Sequence, residues 1–211
     1  GDWSSDVCSS DLWNDPGPTR VMRAQLERIR AEDPGFELRH RWVAYQFISV
    51  NLKRAVVVAE DARFTVHEGV DWDAIERAYQ DNRRRGRVVR GGSTITMQLA
   101  KNLFLSGERS YVRKAQELVI SQMLEIVLGK RRILEIYLNV AEWGVGVFGA
   151  QAAAQRYFRL SAAELEPAQA ARLAAMLPRP RHYDRNPESD RLQRSEEHTS
   201  ELQSPCNLVC R

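Results

Sequence analysis

Cysteine is scarce and confined to the ends of the chain. The 211 residues include three, Cys8, Cys206 and Cys210, and none lies between residues 13 and 193. A cysteine-free core neither demands nor excludes an oxidising compartment. Long apolar runs are missing too: nothing from Trp13 to Gln193 approaches the roughly 18 uninterrupted apolar residues of a membrane-spanning helix. No secretory leader pattern stands at the start. Histidine is limited to four residues, and His67 has no partner histidine at metal-ligand spacing, which favours a structural role for it. Internal repeats and low-complexity linkers are absent, so nothing divides the core, and about 180 residues suffice for one domain without staples.

Both ends read as foreign. One back-translation of residues 194–204 is complementary, one base out of frame, to a coding sequence for residues 2–12, and it resembles a common sequencing-library adapter. Paired terminal cysteines of a secreted protein would leave that complementarity unexplained. Residues 1–12 and 194–211 are therefore expected to be translated adapter, and 13–193 the native domain, cut short upstream of any N-terminal anchor. Charge sharpens accordingly. Of 31 basic residues only Arg194 and Arg211 fall in the ends, against six of 28 acidic ones, Asp2, Asp6, Asp11, Glu196, Glu197 and Glu201. The core's 29 basic and 22 acidic residues leave +7, where the whole chain carries +3. Such a surplus suits an anionic partner, whether phosphate, nucleic acid or a membrane surface.

What is present is helical periodicity. A polar helix is expected over Arg20–Glu32, closed by Asp33-Pro34-Gly35. A short apolar run spans Leu52–Glu60. Asp71 suits the N-cap of a helix through Tyr79, and the Arg-rich stretch Asn82–Arg90 reads as a loop. Further helices are expected over Thr94–Phe104, Ser110–Leu128 with Gly129 at its C-terminal end, and Arg131–Asn139. Gly144, Gly146 and Gly149 mark a loop into a helix over Ala150–Phe158. Ser161 to Glu164 has the capping-box pattern, and Pro167 opens a last helix that Pro178 ends. The expectation is an all-α domain.

Four features could carry chemistry, each with a plain structural alternative. Glu60-Asp61 follows the apolar run, which suits a partly buried general base, although on composition alone an acidic pair is more often an ordinary N-cap pair at a helix start. Gly91-Gly-Ser-Thr-Ile-Thr96 would free backbone N–H groups for an anion, or simply use Ser93 or Thr94 as an N-cap; it lacks the Walker ending. Arg113 and Glu117 share a helix face and could be a surface ion pair, but with Lys101 and Lys114 they could instead hold a diphosphate. Arg83, Arg84, Arg85, Arg87 and Arg90 form a basic run without the interleaved aromatics of a nucleic-acid stacking platform; a solvated loop or adhesion to an anionic membrane fits it.

Taken in order, these stretches resemble the glycosyltransferase domain shared by bifunctional penicillin-binding proteins and monofunctional peptidoglycan glycosyltransferases. The first motif is Glu60-Asp-Ala-Arg-Phe-Thr-Val-His-Glu-Gly-Val-Asp71 and the second Gly91-Gly-Ser-Thr-Ile-Thr-Met-Gln-Leu-Ala-Lys-Asn102. The third is Arg113-Lys-Ala-Gln-Glu117 continuing to Leu124-Glu125, and the fourth Arg132-Ile-Leu-Glu-Ile-Tyr-Leu-Asn139 running on to Ala141-Glu-Trp-Gly144. The fifth is Gly149-Ala-Gln-Ala-Ala-Ala-Gln-Arg-Tyr-Phe158. Five motifs in order are specific where one would not be. One position departs: Met97 stands where the family usually has the first of two glutamines, while Gln98 matches the second. Asn139 to Gly144 looks most like the monofunctional, proteobacterial-type enzymes.

The resemblance implies an all-α fold, with a lysozyme-like helical lobe and a smaller membrane-associated lobe. It implies that lipid II is polymerised into β-1,4-linked glycan strands with inversion, releasing undecaprenyl diphosphate; the competing reading is a lysozyme-like lytic enzyme. Glu60 would be the base for the acceptor 4-hydroxyl, and Glu117 a second catalytic glutamate at the donor diphosphate. Lys101, Arg113 and Lys114 would hold that diphosphate, and Asp61, Phe64, His67, Ser93, Thr94, Gln98 and Asn102 would shape the cleft. No cofactor is required by it and no protein metal site, though a Mg or Mn ion can accompany the diphosphate. The implied partners are lipid II, the growing strand, the membrane surface and proteins of cell division or elongation, with no nucleic acid. The implied place is the periplasmic side of the bacterial inner membrane.

Overall fold

A computed structural model describes residues 14–87, 91–105 and 110–197. Residues 1–12 and 198–211, and Arg90 of the basic run, lie outside the described residues. The chain opens with α1 (Arg20–Arg30), capped by Thr19, and passes through β1 (Arg39–His40) and a 3-10 turn (Tyr45–Phe47). Then come α2 (Val50–Glu60), α3 (Trp72–Arg85), α4 (Ile95–Phe104), α5 (Tyr111–Val127) and α6 (Lys130–Val140). Two short strands, β2 (Glu142–Gly144) and β3 (Val147–Phe148), precede α7 (Ala150–Phe158), α8 (Pro167–Met176), α9 (Pro180–Arg185) and α10 (Asp190–Glu197).

The helices bury one core. α2 presents Leu52, Ala55 and Val56 on one face, and α8 meets it with Ala170, Ala171 and Ala174, whose small side chains allow close approach. On its other side α8 packs against α10, through Leu192 among others. α4 lies against both α5 and α6, and α6 is the most buried helix, with Ile133, Leu134, Ile136, Tyr137, Leu138 and Val140 all in the core.

The fold is mostly helical, as expected, with one small sheet that periodicity did not reveal. Its order is β1-β3-β2, β1 parallel and β2 antiparallel to β3. Strands of two or three residues are too short to show alternation. Asn139 holds this region: it is fully buried, its Oδ1 accepts from Val43 N at 2.9 Å, and its Nδ2 donates to Val43 O and Glu135 O, both at 2.9 Å. Gly149 passes close by with φ +83°, and a Cβ there would stand 2.6 Å from Asn139 O.

Several local expectations need correction. Asn82 to Arg85 is not loop but the last turn of α3, where Arg83, Arg84 and Arg85 meet the negative end of the helix dipole and Gly86, at φ +61°, closes it. Gly129 caps the start of α6 rather than the end of α5, which Leu128 closes. Ser161 and Glu164 do bond, Oγ to Oε2 at 2.7 Å, but in a turn; the capping box belongs to Glu166 and Gln169 at the start of α8. The apolar stripe of α5 faces outward, with Val119 61 % and Ile126 84 % exposed.

Candidate active site

Glu60 stands at the last turn of α2, and its neighbour Asp61 ends that helix. Asp61 is buried, and its carboxylate is fully engaged: Ile95 N donates to Oδ2 at 3.0 Å, and His67 Nε2 donates from 2.9 Å to the same group. Asp61 therefore ties the end of α2 to the start of α4, with His67 as a second tether. Phe64 is wholly buried beneath this loop, with Lys130 Nζ 4.7 Å above its ring. Neither Phe64 nor His67 is among the residues lining the cavity that holds Glu60.

The second motif supplies the opposite wall. Gly92 passes so close to α3 that a Cβ would stand 2.9 Å from Ile75 Cα. Thr94 is the N-cap of α4, its Oγ1 accepting from Met97 N at 3.1 Å and donating to Gly69 O at 2.6 Å. That settles Thr94 as a buried cap, with the helix start behind it placed by Asp61. Met97 is fully buried, so the position that departs from the family pattern presents no side chain to solvent. Gln98, one residue on, donates from Nε2 to Glu60 Oε2 at 2.7 Å.

Glu60, Ser93, Gln98, Pro178 and Arg191 line one cavity of about 460 Å³. Gln98 and Pro178 also line a second, of about 300 Å³, together with Lys101, Asn102, Tyr137 and Arg181. The two cavities therefore adjoin at Gln98 and Pro178. Burial raises the Glu60 carboxyl above its ordinary pKa of 4.5; the Gln98 hydrogen bond and the charges of Arg191 and Lys101 pull it back, while Asp61 adds to the rise. A carboxyl in that setting can accept a proton more readily than an exposed one.

The charged cluster of α5 adjoins this cleft through Ser93. Lys114 Nζ donates to Ser93 Oγ at 2.7 Å and to Glu117 Oε2 at 2.8 Å, and Arg113 Nε lies 3.6 Å from Glu117 Oε1. Glu117 is 5 % exposed, so this is no loose surface pair: a buried carboxylate sets two cations side by side. Lys114 remains open to solvent on its outer side. Among the described residues, no three His, Cys, Asp or Glu side chains gather as a metal-binding group.

Sequence reasoning missed several residues that line these cavities, two of which bear on Glu60. Arg191, on α10, reaches the Glu60 cavity from a stretch too polar to draw attention. Tyr137 sits in the fourth motif, but its place among the apolar residues of α6 reads as core; its hydroxyl in fact donates to Gln98 Oε1 at 3.0 Å. The remaining motif residues brace the walls: Thr96 Oγ1 and Lys130 Nζ both donate to Glu125 Oε1, at 2.6 and 2.7 Å, joining α4, α5 and α6.

Comparison with known proteins bears on this geometry. Residues 26–202 match the family model described as Transglycosylase. A protein of Bordetella pertussis named biosynthetic peptidoglycan transglycosylase is 62% identical over 188 residues, covering 87% of this chain and 78% of its own. Proteins of the same name from Herminiimonas arsenicoxydans and Methylobacillus flagellatus are 61% identical over 171 residues and 56% identical over 181. The first alignment covers 81% of this chain and 74% of the relative, the second 84% and 79%.

Proposed function

The chain belongs to the transglycosylase family, and from that premise we propose that it polymerises lipid II into β-1,4-linked glycan strands, with Glu60 as the general base. The observation that carries this is the setting of Glu60: a carboxylate drawn out of water at the wall of an open cleft, one oxygen held by Gln98 and cations nearby.

The acceptor sugar's 4-hydroxyl gives its proton to Glu60 as its oxygen attacks the donor's anomeric carbon. The bond from that carbon to the lipid diphosphate breaks on the opposite face, so an α-linked donor becomes a β-linked product and no covalent glycosyl-enzyme forms. Negative charge then gathers on undecaprenyl diphosphate. Arg113 and Lys114, preset by Glu117, and Lys101, which lines the adjoining cavity, stabilise that charge more in the transition state than before it. Glu117 thus serves the leaving group by holding cations. A magnesium or manganese ion bound with the diphosphate would be held by the substrate and by Glu117, and would add positive charge at the leaving group.

The outward stripe of α5 completes the reading. Phe104, Leu105, Val112, Val119, Met123 and Val127 line an apolar groove of about 710 Å³. No helix among the described residues is long and apolar enough to cross a membrane. We assign this face to the surface of the bilayer that carries lipid II, on the periplasmic side, where the basic surplus favours anionic headgroups. Proteins of the division or elongation machinery are the partners this placement would bring within reach. The test of the reaction is to offer the purified chain lipid II and, separately, finished strands. Strand formation without strand cleavage is expected; cleavage without formation would overturn the proposal in favour of a lytic enzyme.

A further inference from the structure

Tyr137 has no part in the chemistry described above, although it is a neighbour of the base at one remove. It is 1 % exposed, and its hydroxyl stands 3.0 Å from Gln98 Oε1, while Gln98 Nε2 stands 2.7 Å from Glu60 Oε2. An ionised carboxylate only accepts, so Glu60 takes the NH2 end of the amide, and the phenol, which can donate or accept, is left to donate to the oxygen end. Burial, reinforced by the charges of Glu60 and Asp61, holds the Tyr137 phenol well above its usual pKa, so it stays a neutral hydroxyl able to donate.

We propose that Tyr137 is a positioning residue for the base: by donating to Gln98 Oε1 it keeps the amide's NH2 end on Glu60 Oε2, leaving the other carboxylate oxygen for the acceptor hydroxyl. The proposal rests on the reading of Glu60 as base. Without the phenol Gln98 Oε1 loses its donor, and the amide, anchored at one end only, can swing away from Glu60 Oε2. Weakening that hydrogen bond disfavours the ionised form of Glu60 relative to the protonated one, which cannot act as base.

Tyr137→Phe removes one oxygen and keeps the ring that fills the core. Its turnover at neutral pH is expected to fall about fivefold, the scale of one hydrogen bond, with the KM for lipid II changed less than about twofold. The acid limb of its pH–rate profile is expected to move to higher pH. In a Gln98→Met background the same substitution should no longer move that limb. Tyr137→3-fluorotyrosine, which keeps the size of the ring and strengthens the donor, should move the limb the opposite way and gives the answer even if the phenylalanine variant folds poorly. An unmoved acid limb in either folded Tyr137 variant overturns the proposal, as does an equal shift with and without Gln98. Glu60→Gln, assayed alongside, separates the two readings. Full activity of that variant sinks the base itself, whereas its inactivity beside an unmoved Tyr137 limb sinks only the positioning role.

Discussion

Glu60 illustrates what one residue draws from its surroundings. As half of an acidic pair it could have been an N-cap at a helix start; the structure instead puts the pair at the C-terminal end of α2, where Asp61 anchors α4 and Glu60 lines the cleft. Because burial raises its pKa and only the ionised form accepts a proton, activity should fall as the pH drops through a midpoint above the ordinary carboxylate value. A pH–rate profile of polymerisation checks this. The same shift makes ionised Glu60 a cost to the fold. Glu60→Gln should therefore raise the melting temperature at neutral pH, and the difference should close as the pH falls from the raised pKa to the ordinary one. Motif residues were legible individually, but their division of labour was not. Asp61 and Thr94 both line the Glu60 cavity and brace the start of α4, His67 braces Asp61 from outside that lining, and Tyr137 and Arg191 come to the site from elements far away in sequence.

At the scale of elements, helices with buried faces and good caps were plain in the sequence: Asp71 and Thr94 each cap the helix they precede, and Ser110, expected as a first helical residue, caps α5. Helix ends decided by charge, such as the last turn of α3, were not, because an arginine run looks the same in a loop. The small sheet was illegible for want of length. What secures it is the passage of Gly149 over Asn139, at a φ of +83° and with no room for a Cβ. Gly149→Ala should therefore lower the melting temperature by about 5–10 °C, from backbone strain of roughly 1–3 kcal/mol and the added clash. Gly35→Ala, where a Cβ would meet only Asp33 Oδ1 at 3.7 Å, should leave it nearly unchanged. Thermal melts of the two variants side by side check this.

For the whole molecule, the α5 stripe shows that helical periodicity identifies an apolar face without saying what covers it. Here the face is turned outward: Val119, Met123 and Ile126 are 61 %, 59 % and 84 % exposed. If it rests on the bilayer, Val119→Ser with Ile126→Ser should cut co-sedimentation with phosphatidylglycerol-containing vesicles several-fold. The melting temperature should be unchanged or higher, since neither side chain supports the core. Equal vesicle binding by the double variant would remove the membrane from this face. Polymerisation tests the central claim most directly, as the rate at which Glu60→Gln converts lipid II into glycan strands beside the unaltered chain. The account predicts a loss of about 10²–10⁴-fold with the fold intact by circular dichroism and melting; polymerisation at the unaltered rate would contradict it.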